Sequence, residues 1–172
     1  KGDKEDNSVK NEDTFFCVTS KFWNNYLSYL QENNIPYALA TSSPYRIVEA
    51  SFLNQGYEEV PFKYVMTGEH VKKSKPDPEV FIKAAEMLNI PVEECLVVED
   101  ATSGIDAANK GGFVSVGISD ASTYSKTKYP ISKLYDLFDV IDIKEDFIVF
   151  TGTFTSCCYP KNITIQARIL LG

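Results

Sequence analysis

A chain of 172 residues with 44% hydrophobic and 24% charged residues, nine glycines and eight prolines has the composition of an ordinary globular domain, which excludes collagen-like, coiled-coil and fully disordered classes. The net charge of −7 has the wrong sign for gripping nucleic acid through its phosphates, so an anionic ligand would need a local positive site. No apolar run approaches the roughly 20 residues of a membrane span, and the polar start lacks the apolar centre of a signal peptide; both point to a soluble, cytoplasmic protein with no membrane partner.

In chain order, residues 1–13 carry eight charges and one apolar residue, Val9, too little hydrophobic surface to offset ordering entropy, so a tail is expected. Phe22, Trp23, Tyr26, Leu27 and Leu30 recur at helical spacing, and Asn33, Asn34 and Pro36 supply a stop. Tyr37 to Ala40 is an apolar run too short for a helix, and it reads as a buried strand ending in Thr41-Ser42-Ser43. A helix over Pro44 to Leu53 and a strand over Tyr64 to Thr67 follow. Asp77 suits an N-cap and Pro78 a first helical position, with Val80, Phe81, Ala84, Ala85 and Leu88 lining one face. Cys95 to Val98 reads as a strand broken off at Glu99-Asp100, and Thr102 to Lys110 as a helix stopped by Gly111-Gly112. Phe113 to Ile118 suits a strand, residues 117–132 a long exposed serine-rich loop, Ser132 to Phe138 a short helix and Asp139 to Ile143 a last clear strand. Phe147 to Phe150 offers one more strand, and residues 151–172 show no period. Alternating strands and helices predict an α/β fold, a parallel sheet with helices on both faces.

Cys17, Cys95, Cys157 and Cys158 have neither C-x-x-C spacing nor the density of a disulfide scaffold and read as reduced thiols. The single histidine, His70, has no partner set for zinc or acid–base work and reads as a surface residue. Asn162-Ile163-Thr164 reads as a chance match to a glycosylation acceptor.

In an open parallel sheet, ligands bind beyond the carboxyl ends of the strands. Thr41 and Ser42 fall there, offering a hydroxyl and a backbone N–H near a helix N-terminus to an anion. Lys75 stands in Lys72-Lys73-Ser74-Lys75-Pro76-Asp77-Pro78, where two prolines restrict where its ammonium can point. Glu99 and Asp100 place two hard carboxylates side by side, suited to Mg²⁺. Singly, each feature has an ordinary explanation in turn chemistry, a solvated basic loop or helix capping. Together, at successive strand ends, they describe a site for a phosphate and its metal ion.

Three stretches, Ala38-Leu39-Ala40-Thr41-Ser42-Ser43, Ser74-Lys75-Pro76-Asp77-Pro78-Glu79-Val80-Phe81 and Leu96-Val97-Val98-Glu99-Asp100-Ala101-Thr102-Ser103-Gly104-Ile105, resemble the second, third and fourth motifs of the haloacid dehalogenase (HAD) superfamily, nearest to its beta-phosphoglucomutase-like branch of phosphatases and phosphomutases. The resemblance runs from about Lys21 to about Ile143. It implies a Rossmann-like core, Mg²⁺, a small phosphorylated metabolite as substrate and phosphoryl transfer through an aspartyl-phosphate. It assigns Thr41 and Lys75 as the catalytic pair on the phosphoryl group, Thr41, Ser42 and Lys75 as phosphate-binding, and Glu99 and Asp100 as metal-binding. The corresponding division is a tail or cap remnant over residues 1–20, a HAD-like core over 21–145 and a segment of unassigned structure over 146–172.

The family's first motif, an apolar strand ending in Asp-x-Asp whose first aspartate attacks phosphorus, is missing: no two aspartates here stand two positions apart. Nor is there a segment assignable as a cap. Without the attacking carboxylate the remaining groups could hold a phosphate but not transfer it covalently, and negligible turnover is expected. The same loss would remove the central strand, between those ending in Thr41 and Glu99, leaving two unpaired edges. Thr14 to Val18, Phe147 to Phe150 or a segment of another polypeptide could fill the slot. Two functions therefore stand side by side: a partial copy of a Mg²⁺-dependent phosphatase or phosphomutase, and a non-catalytic phosphate-binding or interaction module.

Overall fold

The structure is a computed structural model that describes residues 27–132, 136–137, 141–144, 147–150 and 166–171. Within these, helix α1 (residues 27–32) leads into strand β1 (Tyr37–Ala40), and α2 (Tyr45–Asn54) into β2 (Val65–Met66). Helix α3 (Glu79–Leu88), β3 (Cys95–Glu99), α4 (Thr102–Gly111) and β4 (Val114–Gly117) follow, then β5 (Tyr129–Pro130), β6 (Ile141–Lys144), β7 (Phe147–Phe150) and β8 (Gln166–Leu171).

Each helix stops by the same local chemistry. Asn34, Gly56, Asn89 and Gly112 take the left-handed conformation, at φ of 53°, 88°, 55° and 84°. Asparagine and glycine adopt it at low cost. The next residue then sends its N–H back over the helix end: Ile35 to Leu30 O, Tyr57 to Phe52 O, Ile90 to Ala85 O and Phe113 to Ala108 O, at 2.8 to 3.1 Å. Carbonyls that would lack partners are satisfied, and an apolar residue is tucked under the helix.

The sheet runs β2-β1-β8-β3-β4-β5, every neighbouring pair parallel. Side chains alternate between two cores, as the period of a strand requires. Tyr37 and Leu39 of β1 and Leu96 and Val98 of β3 join Leu27, Leu30, Val48 and Phe52 on the face covered by α1 and α2. Ala38, Ala40, Cys95 and Val97 join Phe81, Ala84, Ala85, Ala107, Ala108 and Phe113 on the face of α3 and α4. On that second face both sheet and helices present alanine, so the layers approach closely and Phe81 fills the remaining space, edge-on to Phe113 at 5.9 Å between ring centres. No helix among the described residues is long and apolar enough to cross a membrane.

The centre of the sheet corrects the expectation of an open slot or of the two named fillers. Gln166–Leu171 lies there, pairing Ala38 with Leu170 on one side and Val97 with Leu170 on the other. Both edges are satisfied within the chain, so no strand from another polypeptide is required. Phe147–Phe150 instead lies antiparallel between β6 and the start of β8. Thr14 to Val18 lies outside the described residues.

The segment 117–132 also differs from the exposed loop expected. It forms a 3₁₀ turn over Ser119–Thr123 and the short edge strand β5, and buries Ala121, Thr127, Tyr129 and Ile131. Its hydroxyls do local work that composition cannot show: Ser122 donates to Ser119 O at 2.6 Å, Thr123 to Asp120 O at 3.1 Å and Thr127 to Ala121 O. Proline at β5 is tolerated because a sheet edge needs no further donor.

Candidate functional site

The predicted residues leave the carboxyl ends of β1 and β3, with one more supplied by the loop before α3. Thr41 follows β1, and its N–H donates to Met66 O at 2.9 Å, which carries the β1–β2 pairing one residue past the strand. Its Oγ1 accepts the Ser43 N–H at 3.1 Å, leaving the hydroxyl proton to donate elsewhere. Ser42 is exposed, and among the described residues no hydrogen bond involves its N–H. The turn is braced from below by Gly68, whose N–H donates to Ser43 O at 3.2 Å. A Cβ at Gly68 would run into Ser42 O, so this close backbone approach requires glycine.

Lys75 reaches into the molecule. Its ammonium pairs with Glu99 Oε1, lies 3.4 Å from Ala40 O and sits 4.6 Å from the centre of the Phe81 ring. The side chains of Lys75 and Glu99 are 10% and 2% exposed, so this pair is buried. The other oxygen of Glu99 accepts the Ala101 N–H at 3.1 Å. Asp100, the next residue, is exposed, and among the described residues no hydrogen bond or ion pair involves its carboxylate.

The structure thus brings Lys75 and Glu99 into direct contact and sets the Lys75 ammonium against the carbonyl of Ala40, the residue before Thr41. Ser42 and Asp100 remain at the surface, following Thr41 and Glu99 respectively. Thr41 also lines a cavity of about 190 Å³ with Leu39, Ser43, Ile47, Val48, Ser51 and Phe52, on the α2 side of β1.

Three contributors were not read from the sequence. Gly104, one turn into α4, lies against the Glu99 carboxylate so closely that a Cβ there would overlap it. Phe81, assigned only to a core face, supplies an aromatic surface to the Lys75 ammonium. Glu79 accepts the N–H groups of Lys72 and Lys73, each at 3.0 Å, and pairs with Lys83 at 2.9 Å. The Lys83 hydrogen bond, then that from the Lys72 backbone, holds the Glu79 carboxyl down at about 2. Asp77 Oδ1 accepts the Glu79 N–H at 3.1 Å, but α3 begins one residue later than expected, with Pro78 rather than Asp77 at its N-cap. His70 is exposed as expected, yet its Nδ1 accepts the Thr67 N–H at 3.0 Å and serves as a local cap.

Glu99 and Asp100 give hard oxygen donors of the kind Mg²⁺ takes. No group of three or more histidine, cysteine, aspartate or glutamate side chains gathers among the described residues. That donor set fits Mg²⁺, which commonly uses one or two carboxylates and completes its shell with water and substrate phosphate.

Residues 17–118 match the family model described as haloacid dehalogenase-like hydrolase. The chain is 30% identical over 129 residues to the chloroplastic 5-amino-6-(5-phospho-D-ribitylamino)uracil phosphatase of Arabidopsis thaliana, covering 70% of this chain and 32% of that protein. It is 36% identical over 86 residues to a phosphorylated carbohydrates phosphatase of Thermotoga maritima, covering 50% and 39%. The fold superposes on the crystal structure of beta-phosphoglucomutase from Clostridium difficile with a TM-score of 0.57 and 26% identity, covering 68% of this chain and 53% of that one. The chain thus spans 32% and 39% of the two phosphatases and 53% of the mutase. With the family model covering more than half its length, this chain belongs to the haloacid dehalogenase-like hydrolases.

Proposed function

We propose that this chain carries the anion- and metal-binding part of a phosphoryl-transfer site acting on a small phosphorylated metabolite, in the manner of a phosphatase or phosphomutase. The observation that carries the reading is the buried Lys75–Glu99 pair set against Ala40 O at the end of β1. A buried ammonium aimed at the ends of two parallel strands is a positive centre in an otherwise acidic chain. Thr41 would donate its hydroxyl to a phosphoryl oxygen, the Ser42 N–H would donate beside it, and Lys75 would offset the phosphoryl charge. Glu99 and Asp100 would hold Mg²⁺, which when bound neutralises charge on the phosphoryl oxygens. Relatives named as phosphatases of phosphorylated carbohydrates and of a ribityl phosphate support the substrate class.

A second reading rests on its own observation. The described central strand, Gln166–Leu171, which pairs with β1 on one side and β3 on the other, contains no aspartate or glutamate. With no Asp-x-Asp anywhere in the sequence, these residues by themselves would bind a phosphorylated ligand without turning it over. Hydrolysis of 4-nitrophenyl phosphate with Mg²⁺ separates the two. No release above background is expected, and robust release abolished by Lys75→Ala would show that a nucleophile is present after all.

A further inference from the structure

Lys75 is placed by a loop, and loops hold a geometry only when something ties them down. One tie here is a carboxylate. Glu79, in the first turn of α3, accepts with the same oxygen the N–H groups of Lys72 and Lys73, on the opposite side of Lys75 from itself. Its other oxygen pairs with Lys83 Nζ at 2.9 Å, and that ammonium also donates to His70 O at 2.6 Å. The 72–79 segment is therefore closed into a ring of chain with Lys75 at its far side. The far end of the brace grips the 67–70 turn, whose Gly68 supports Ser42 and Ser43.

Lys72, Lys73 and Ser74 are exposed and none of them packs into the two cores; besides the Glu79 bonds, Val71 packs against the second core and Ser74 O accepts the Asp77 N–H at 3.0 Å. From this we infer that Glu79 is a positioning residue, whose two backbone hydrogen bonds fix the loop so that the Lys75 ammonium reaches Glu99. Bonds to a charged acceptor are the stronger kind, and a carboxylate can take both N–H groups at once. Lys75's part in holding phosphate rests on the function proposed above; its positioning by Glu79 does not.

The test reads Lys75 directly. The intact chain is treated with an acetylating reagent, and the rate at each lysine is followed by mass spectrometry, with exposed Lys63 and Lys128 as internal references. In the wild type Lys75 should react slowly. In Glu79→Ala its rate relative to the references should rise about tenfold, the size of losing one charge-assisted hydrogen bond. Glu79→Gln retains a carbonyl acceptor for the two N–H groups and should recover most of the protection. Lys83→Met removes the pair along the helix but leaves the Lys72 and Lys73 bonds, and should leave Lys75 protected. Unchanged protection in a folded Glu79→Ala chain overturns the inference. So does equal exposure in Lys83→Met, which would show that Glu79 acts only through helix stability. Inorganic phosphate titrated into the same variants with Mg²⁺ then reads the function separately: exposure of Lys75 without phosphate binding by the wild type would sink the function and leave the positioning role standing.

Discussion

Replacing Lys75 by methionine keeps the aliphatic stem over Phe81 and removes only the charge. The partner left behind, Glu99, is 2% exposed, with one oxygen already committed to the Ala101 N–H. Little solvent reaches it to compensate, so the pair belongs with buried ion pairs, where loss of one member costs about 3–5 kcal/mol. An exposed pair would cost about 0.2–1 kcal/mol. With a urea slope of about 2 kcal/mol per M for a chain of this size, the larger figure moves the unfolding midpoint down by roughly 1.5–2.5 M. The informative companion is Lys75→Met/Glu99→Gln, in which both sites are neutral and similar in shape. It should be more stable than Lys75→Met alone, with a coupling of about 1–3 kcal/mol. If Lys75→Met costs under about 1 kcal/mol and the double variant shows no coupling, the ammonium is not buried against Glu99 and the convergence of the two strand ends is wrong.

Other outcomes follow from individual contacts. Gly104→Ala should destabilise by about 1–3 kcal/mol through overlap with the Glu99 carboxylate, outweighing the roughly 1 kcal/mol that alanine gains in a helix. In a Glu99→Ala background the sign should reverse, as read from thermal midpoints. The Glu79 carboxyl is held at about 2, below its ordinary value of 4.5, by Lys83 and by the Lys72 and Lys73 backbone. Its contribution is therefore complete above pH 4.5 and lost as pH falls toward 2. Between pH 5 and pH 3 the wild type should lose urea resistance faster than Glu79→Gln; parallel curves would refute the shift. Leu170→Pro removes a donor from a strand paired on both sides and should cost about 3 kcal/mol or more. Amide exchange along Ala38 to Ala40 and Leu96 to Val98 should quicken with it. Fast exchange there already in the wild type would show that β8 does not hold the slot.

What could be read from sequence follows from how local each signal is. Tyr37 to Ala40 and Cys95 to Val98 are short apolar runs cut off by polar residues, and Asp77-Pro78 announces a helix start, so β1, β3 and α3 stand near their predicted places. The places of Thr41, Lys75, Glu99 and Asp100 in the fold were legible because they stand at strand ends or just before a helix. The strand in the centre was not: Gln166–Leu171 pairs with β1 and β3 across more than 65 residues of chain, and nothing in its own pattern names such distant partners. Ser119, Ser122, Ser125 and Thr127 suggested an exposed loop because composition cannot reveal that hydroxyls such as those of Ser122 and Thr127 bond their own backbone. Gly104, Phe81 and Glu79 were hidden for a related reason. Each fits its helix position by ordinary rules, and only the close approach of α3 and α4 to the strand ends gives it a second part to play.

The most direct test is calorimetry of inorganic phosphate with and without Mg²⁺, on the wild type and on folded Thr41→Val, Lys75→Met and Asp100→Asn. Phosphate should bind the wild type more tightly with Mg²⁺ present. Thr41→Val and Lys75→Met should weaken phosphate under both conditions, and Asp100→Asn should remove only the Mg²⁺-dependent part. Phosphate heats that ignore Mg²⁺, or that are the same in all four proteins, would contradict a shared anion and metal site at the ends of β1 and β3.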